Sequence, residues 1–333
     1  MAVALGRTLA VGRALPKVRC ATAWLGIAGL GGCALRVGSL PAVADHLPDQ
    51  VDLDATPFFP QTAYQCGPAA LATVLGAIGI AADPQWLAHR VFLPARQGSL
   101  QVEMLGGARQ ASAVPTRIPG RLDAVLLEIA AGHPVVVLQN LGFDFVPVWH
   151  YAVVVGYSLP LQQLVLRSGT TRREILPMAL FEHSWVKADR WGVVVLPPGV
   201  WPATVQEPEV VEACIGFERA APAPLAQRAY ASAVQRWPGN LALTMGLGNT
   251  AFAAGNKVLA ADSFETAARR HRSAPAWINL ARTLLDAGLA DSAWRAALEA
   301  EYLNDPAWRR ETTAVLRDAR VARRANGSGP RSG

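Results

Sequence analysis

The chain has 333 residues, about twice the usual domain size, so two domains are expected, each long enough to bury its own core. Its formal charge is +6, but four basic residues (Arg7, Arg13, Lys17, Arg19) and no acidic residue precede position 33. The rest carries 27 basic against 25 acidic residues, a net of +2; that field is too weak for nucleic-acid binding, and this class is set aside.

The basic segment is followed by Ala21-Thr-Ala-Trp-Leu-Gly-Ile-Ala-Gly-Leu30, an apolar stretch too short to span a bilayer, which reads as an export signal. It ends in Leu30-Gly31-Gly32-Cys33. This tetrapeptide resembles the bacterial lipoprotein signal, in which a cysteine preceded by an aliphatic and two small residues is acylated and becomes the mature N-terminus. The resemblance implies a signal peptide over 1–32, lipidation at Cys33 and a membrane held through the N-terminal lipid anchor. Ala34, which is not acidic, points to the outer membrane, so the expected place is the periplasmic side of a bacterial cell envelope, as an outer-membrane lipoprotein. Ordinary secretion, with cleavage after Ala42-Val43-Ala44, is the alternative. Cys20 leaves with the signal and Cys33 is acylated, which leaves Cys66 and Cys214 as thiols. A Cys66–Cys214 disulfide is one use for them in an oxidising compartment, but the surroundings of Cys66 point to another.

Residues 33–56 form a leader and linker without clear periodicity, and the fold is expected to begin near Pro57. Helices are expected at about 67–80, from Pro84 with Asp83 as cap, and across 121–132. Short β-branched runs then read as strands: Pro134–Gln139, Tyr151–Tyr157, Gln163–Arg167 and Trp191–Leu196. Helices first and a meander of strands after is an α+β pattern, here over 57–196. The proline-bearing stretch 197–224 reads as a linker.

Beyond it the sequence becomes alanine-rich and repeats itself. Gly248-Asn-Thr-Ala-Phe-Ala-Ala-Gly255 aligns with Ala281-Arg-Thr-Leu-Leu-Asp-Ala-Gly288 at a shift of 33 residues, and Ala260, Phe264 and Ala267 align with Ala293, Ala297 and Ala300. This resembles the tetratricopeptide repeat, whose small residues let two antiparallel helices approach closely. It implies an all-α helical-repeat domain over 225–324 that holds a protein partner, followed by a disordered tail over 325–333.

The segment Gln65-Cys66-Gly67-Pro68-Ala69-Ala70-Leu71 carries the chemistry. Proline near the first helical position places Cys66 at a helix N-terminus, where unpaired amides and the helix dipole favour a thiolate nucleophile. Gln61 lies on the polar approach, with a side-chain amide able to donate to an oxyanion. Of the six histidines, His150 opens a strand that can hold an imidazole rigidly, and His183 is the reserve. No cofactor and no metal ion is expected.

Gln61, Gln65-Cys-Gly-Pro-Ala-Ala-Leu71 and His150-Tyr-Ala-Val-Val-Val-Gly-Tyr157 together resemble the bacteriocin-processing family of papain-like cysteine peptidases. The resemblance implies Cys66 as nucleophile, His150 as general base and acid, Gln61 as oxyanion donor, and a peptide or protein as substrate. Where that family carries an aspartate that orients the histidine, this chain reads Arg167-Ser168-Gly169, so Ser168 takes the place of the orienter. Either a Cys–His dyad suffices, or a carboxylate from Asp144 or Glu174 reaches in, or activity is lost. In the last case the domain is a non-catalytic scaffold that binds peptides or proteins in the envelope. The ATPase and membrane domain fused to exporting members have no counterpart here, since there is no GxxxxGK[ST] loop and no long apolar span.

Overall fold

The valine-rich runs of the first half pair into one antiparallel sheet. In the computed structural model, which describes residues 45–60 and 65–327, its strands are β1 (Gln50–Asp52), β2 (Val114–Arg117), β3 (Val135–Asn140), β4 (Trp149–Ser158), β5 (Gln163–Ser168), β6 (Thr171–Pro177) and β7 (Gly192–Leu196). They lie in the order β2-β7-β3-β4-β5-β6. β3 pairs with the first part of β4, Gln139 standing opposite His150, and β1 pairs with the last part, Asp52 opposite Gly156.

The strands read as unbroken apolar runs because both sheet faces are covered. Side chains alternate across the sheet: Val136, Tyr151, Val153 and Val193 pack under α1 (Cys66–Ala77), α2 (Pro84–Val91) and α3 (Gln101–Gln110). Val135, Val137, Ala152, Val154 and Val194 pack on the other side, under α4 (Leu122–Ala130) and α5 (Met178–Val186). α2 starts as its sequence dictates, with Pro84 in the first turn and the Asp83 carboxylate accepting from Gln85 N–H at 3.0 Å.

Four elements carry no clear signal in the sequence. α3 contains two glycines, α5 is only nine residues long, and β2 and β6 are the outermost strands. β6 begins Thr171-Arg-Arg, all exposed, because an outermost strand needs little apolar surface. The fold also starts earlier than residue 57: β1 lies inside the stretch 33–56 that was expected to be leader.

The stretch 197–224 is not a loose linker. It contains α6 (Glu207–Glu218), which buries Val210, Ala213, Cys214 and Phe217 in a cluster with Val114 of β2. Pro208 sits in the first turn of α6, where the missing N–H costs nothing, so the prolines there mark a helix start. The segment leading into α6 is tied to α4 by a fully buried carboxylate. Glu128 accepts from Thr204 N–H at 2.7 Å, Thr204 Oγ1 at 2.6 Å and Ala203 N–H at 3.1 Å, and faces His133 Nδ1 at 2.8 Å.

The remainder is helical: α7 (Ala223–Arg236), α8 (Leu241–Ala253), α9 (Lys257–His271), α10 (Ala274–Asp286), α11 (Ala290–Leu303) and α12 (Arg309–Gly327). α12 continues into the region expected to be tail, and residues 328–333 lie outside the described ones. The 33-residue shift is visible in the backbone. Asn240 and Ser273 each cap a helix by accepting from the N–H three residues on, and Gly255 and Gly288 each end one with a positive φ, 81° and 75°. Gly248 is small for a reason: a Cβ there would stand 2.7 Å from Cδ1 of Phe264, so its absence lets α8 and α9 close up. Among the described residues no helix is long and apolar enough to cross a membrane.

Candidate active site

Cys66 is the first residue of α1, and its half-buried sulphur packs against the core beneath that helix. The glycine that follows it is required by packing. A Cβ on Gly67 would lie 2.7 Å from Ser99 Cβ and 3.1 Å from Met104 Sδ, so only glycine lets the helix start settle against the loop before α3. The sulphur is approached by the backbone N–H groups of Tyr151, Gly67 and Cys66 itself. Burial pushes the thiol up from its ordinary range, and these three donors pull it down without cancelling that effect. Desolvation therefore works against the thiolate that the helix start favours.

His150 is the second residue of β4, next to the Tyr151 amide that faces the sulphur. Its Nε2 lies 3.0 Å from the Oγ of Ser168, the buried last residue of β5. Burial pushes the imidazole down from its ordinary value, and the negative charge of Glu174 opposes this. Burial thus disfavours the charged form of both groups. With Nε2 engaged by Ser168, Nδ1 is the nitrogen left to take a proton from a thiol.

Two cavities share His150 as a wall. The first is a groove of about 1050 Å³ lined by Cys66, Ser99, Leu100, Trp149 and Tyr151. The second, about 360 Å³, lies on the Ser168 side of the ring and is lined by Ser168, Glu174, His183 and Lys187. The structure thus gathers Cys66, His150 and Ser168, together with Glu174, whereas Gln61 and Cys33 lie outside the described residues. His183 lines only the second cavity, and His133 is occupied by Glu128. Cys214 is buried in α6 as a free thiol, pushed up to about 12 first by burial and then by Glu218; Cys66 is free as well, so the two form no disulfide. Among the described residues no group of His, Cys, Asp and Glu side chains could hold a metal ion.

Two features of the groove escaped the sequence reading. The Tyr151 hydroxyl donates to the Ser99 carbonyl at 3.2 Å, tying the strand of His150 to the loop that packs on Gly67; nothing near Ser99 in the chain announces this. The turn between β3 and β4 carries Phe143 and Phe145, stacked at 5.4 Å and 68% and 83% exposed, beside Val148 and Trp149 at the groove. The run Leu141-Gly-Phe-Asp-Phe-Val-Pro-Val-Trp149 was its only available signal.

Comparison with known proteins agrees in part. The model of the Peptidase_C39 like family matches residues 53–192. Among solved structures, a C39-like peptidase from Bacillus anthracis is 18% identical, with TM-score 0.38, over 45% of this chain and 98% of that one. The peptidase domain of Streptococcus ComA, a bifunctional ABC transporter of a quorum-sensing pathway, is 18% identical, with TM-score 0.35, over 43% of this chain and 98% of that one. The Yersinia enterocolitica type III secretion chaperone SycD is 17% identical, with TM-score 0.33, over 36% of this chain and 93% of that one. No curated protein matches the chain. Residues 53–192, an antiparallel sheet flanked by helices that together carry Cys66, His150 and Ser168, therefore match the C39-like peptidase family.

Proposed function

We propose that the chain is an exported, lipid-anchored cysteine peptidase whose helical region holds a protein partner. The observation that carries the proposal is the placement of Cys66 and His150 on the wall of one groove, with the far nitrogen of the imidazole fixed by Ser168 at 3.0 Å. In the reaction His150 Nδ1 takes the Cys66 proton as the sulphur attacks the carbonyl carbon of a peptide bond. The oxyanion is held by the Cys66 backbone N–H at the start of α1 and by the Gln61 amide. His150 then protonates the leaving amine as the C–N bond breaks, leaving a thioester. Water, deprotonated by His150, attacks that thioester, and the sulphur leaves with the proton returned.

A second reading is favoured by one specific observation, the uncharged partner of the imidazole: a scaffold that binds peptides in the groove without cleaving them. A peptide library digested with the full chain and with Cys66→Ala separates them. Fragments that appear with the wild type and vanish with the variant support the peptidase. No fragments with either, while peptide binding survives in Cys66→Ala, supports the scaffold. Export and anchoring rest on Leu30-Gly31-Gly32-Cys33. Mass spectrometry of the mature N-terminus tests them: acyl chains on Cys33 are expected, and a free amine on Asp45 would mean ordinary secretion instead.

A further inference from the structure

A carboxylate shares a cavity with the imidazole. Ser168 ends β5, and the adjacent strand β6 carries Glu174, which pairs across the ladder with Leu166. A break in register between Leu166 and Ser168 places one extra residue on the β6 side, so that Ser168 faces Thr171 at the tip of the hairpin. Ser168 and Glu174 both line the 360 Å³ cavity walled by His150, and Glu174 is the one carboxylate among its described lining residues. The other ionisable groups around the ring are accounted for. His183 of α5 and Lys187, the residue after that helix, share the cavity, the Lys187 ammonium donating to the Gly142 carbonyl at 3.0 Å. On the groove side stand Cys66, Tyr151, Arg96 and Asp189. Glu174 is half-buried on the outermost strand, open to the cavity. A carboxylate at this half-buried position pays less desolvation than one at the buried position 168.

We propose that Glu174 is a positioning residue for the Cys66–His150 pair: from the Ser168 side of the ring its carboxylate supplies the negative charge that the Ser168 hydroxyl lacks, stabilising the imidazolium formed when Nδ1 takes the Cys66 proton. The two tasks of one aspartate are thereby divided. Ser168 accepts Nε2–H and fixes the ring, and Glu174 supplies the charge. The proton moves only from sulphur to Nδ1, while Nε2–H stays donated to Ser168 Oγ throughout. Removing the carboxylate leaves the ring in place but makes the thiolate–imidazolium pair rarer.

This role presupposes the Cys66–His150 chemistry proposed above, so its test does not rely on turnover alone. In the full chain, the His150 ring is titrated by nitrogen-15 NMR, its signals identified by their loss in His150→Gln. Alkylation of Cys66 by iodoacetamide at neutral pH is followed by peptide mass spectrometry. Glu174→Gln is expected to move the His150 titration to lower pH and to slow Cys66 alkylation about three- to fivefold, as befits one partly hydrated charge. Glu174→Asp restores both in part, and Ser168→Asp placed in the Glu174→Gln background restores alkylation. An unmoved His150 titration in Glu174→Gln overturns the proposal, as does an equal effect from Glu182→Gln, a neighbouring carboxylate outside the cavity. If the titration moves while no form cleaves peptide, the positioning role stands and the peptidase fails. If the wild type cleaves and Glu174→Gln changes nothing, the reverse holds.

Discussion

Replacing Glu128 by Gln tests how the sheet domain is joined to the helices that follow it. The carboxylate is fully buried and accepts three hydrogen bonds, from Thr204 N–H, Thr204 Oγ1 and Ala203 N–H, besides facing His133 Nδ1. Gln keeps the shape and one acceptor oxygen, but it turns an NH2 group toward donors that then have no acceptor. A hydrogen bond to a charged group is worth about 1.5–3 kcal/mol, and breaking a buried charged network costs about 3–5 kcal/mol. With one acceptor retained, a loss of about 2–4 kcal/mol is expected, or a fall in Tm of roughly 3–6 °C for a chain of this size. The pH dependence follows from the carboxyl itself. Burial alone would raise its pKa, but the hydrogen bonds from His133, Thr204 and Ala203 more than offset this and hold it below the ordinary value. A group depressed in the folded state stabilises above its unfolded pKa of about 4.3 and loses that contribution as pH falls through the folded value. Thermal melts followed by circular dichroism should therefore show the wild-type advantage in full at pH 7 and shrinking in the acid range below about pH 4. A gap under 1–2 °C at pH 7, or one that widens on acidification, would refute the reasoning.

Three further outcomes are expected. Cys66 alkylation by iodoacetamide should climb steadily from pH 6 into the alkaline range, because burial raises the thiol and lowers the imidazole; a rate already at its plateau at pH 6 would mean a preformed ion pair. Gly67→Ala should cost about 1–3 kcal/mol in a denaturant melt and slow Cys66 alkylation, since its methyl must push back Ser99 and Met104; an unchanged melt would contradict the packing. Ser168→Asp should keep or raise kcat/KM on any peptide the wild type cleaves, by up to about tenfold, because it brings charge to Nε2; loss of turnover with an intact fold would count against Ser168 as the partner of His150.

Local chemistry made several parts of this protein legible in its sequence. Proline and small residues after Cys66 specify a helix start whatever surrounds it, Asp83-Pro84 specifies another, and the valine runs specify strands. The 33-residue recurrence of glycines and small residues specifies a helical array, because each repeat solves the same packing problem with its neighbour. The meeting of Cys66 with His150 was legible only through resemblance to a family, since no local rule joins residues so far apart. Other features depend on tertiary neighbours alone. Pro208 was read as part of a linker, yet it opens a helix whose apolar face finds Val114. Arg167, an apparent strand end, is buried because the carbonyls of Asp54, Thr56 and Arg172 converge on its guanidinium. Glu174 became relevant when the β5–β6 hairpin set it in the cavity that His150 walls. The desolvation of Cys66 is of the same kind. A helix start favours a thiolate, but the core packed around the sulphur removes water from it, and desolvation depends on every element that closes over the site.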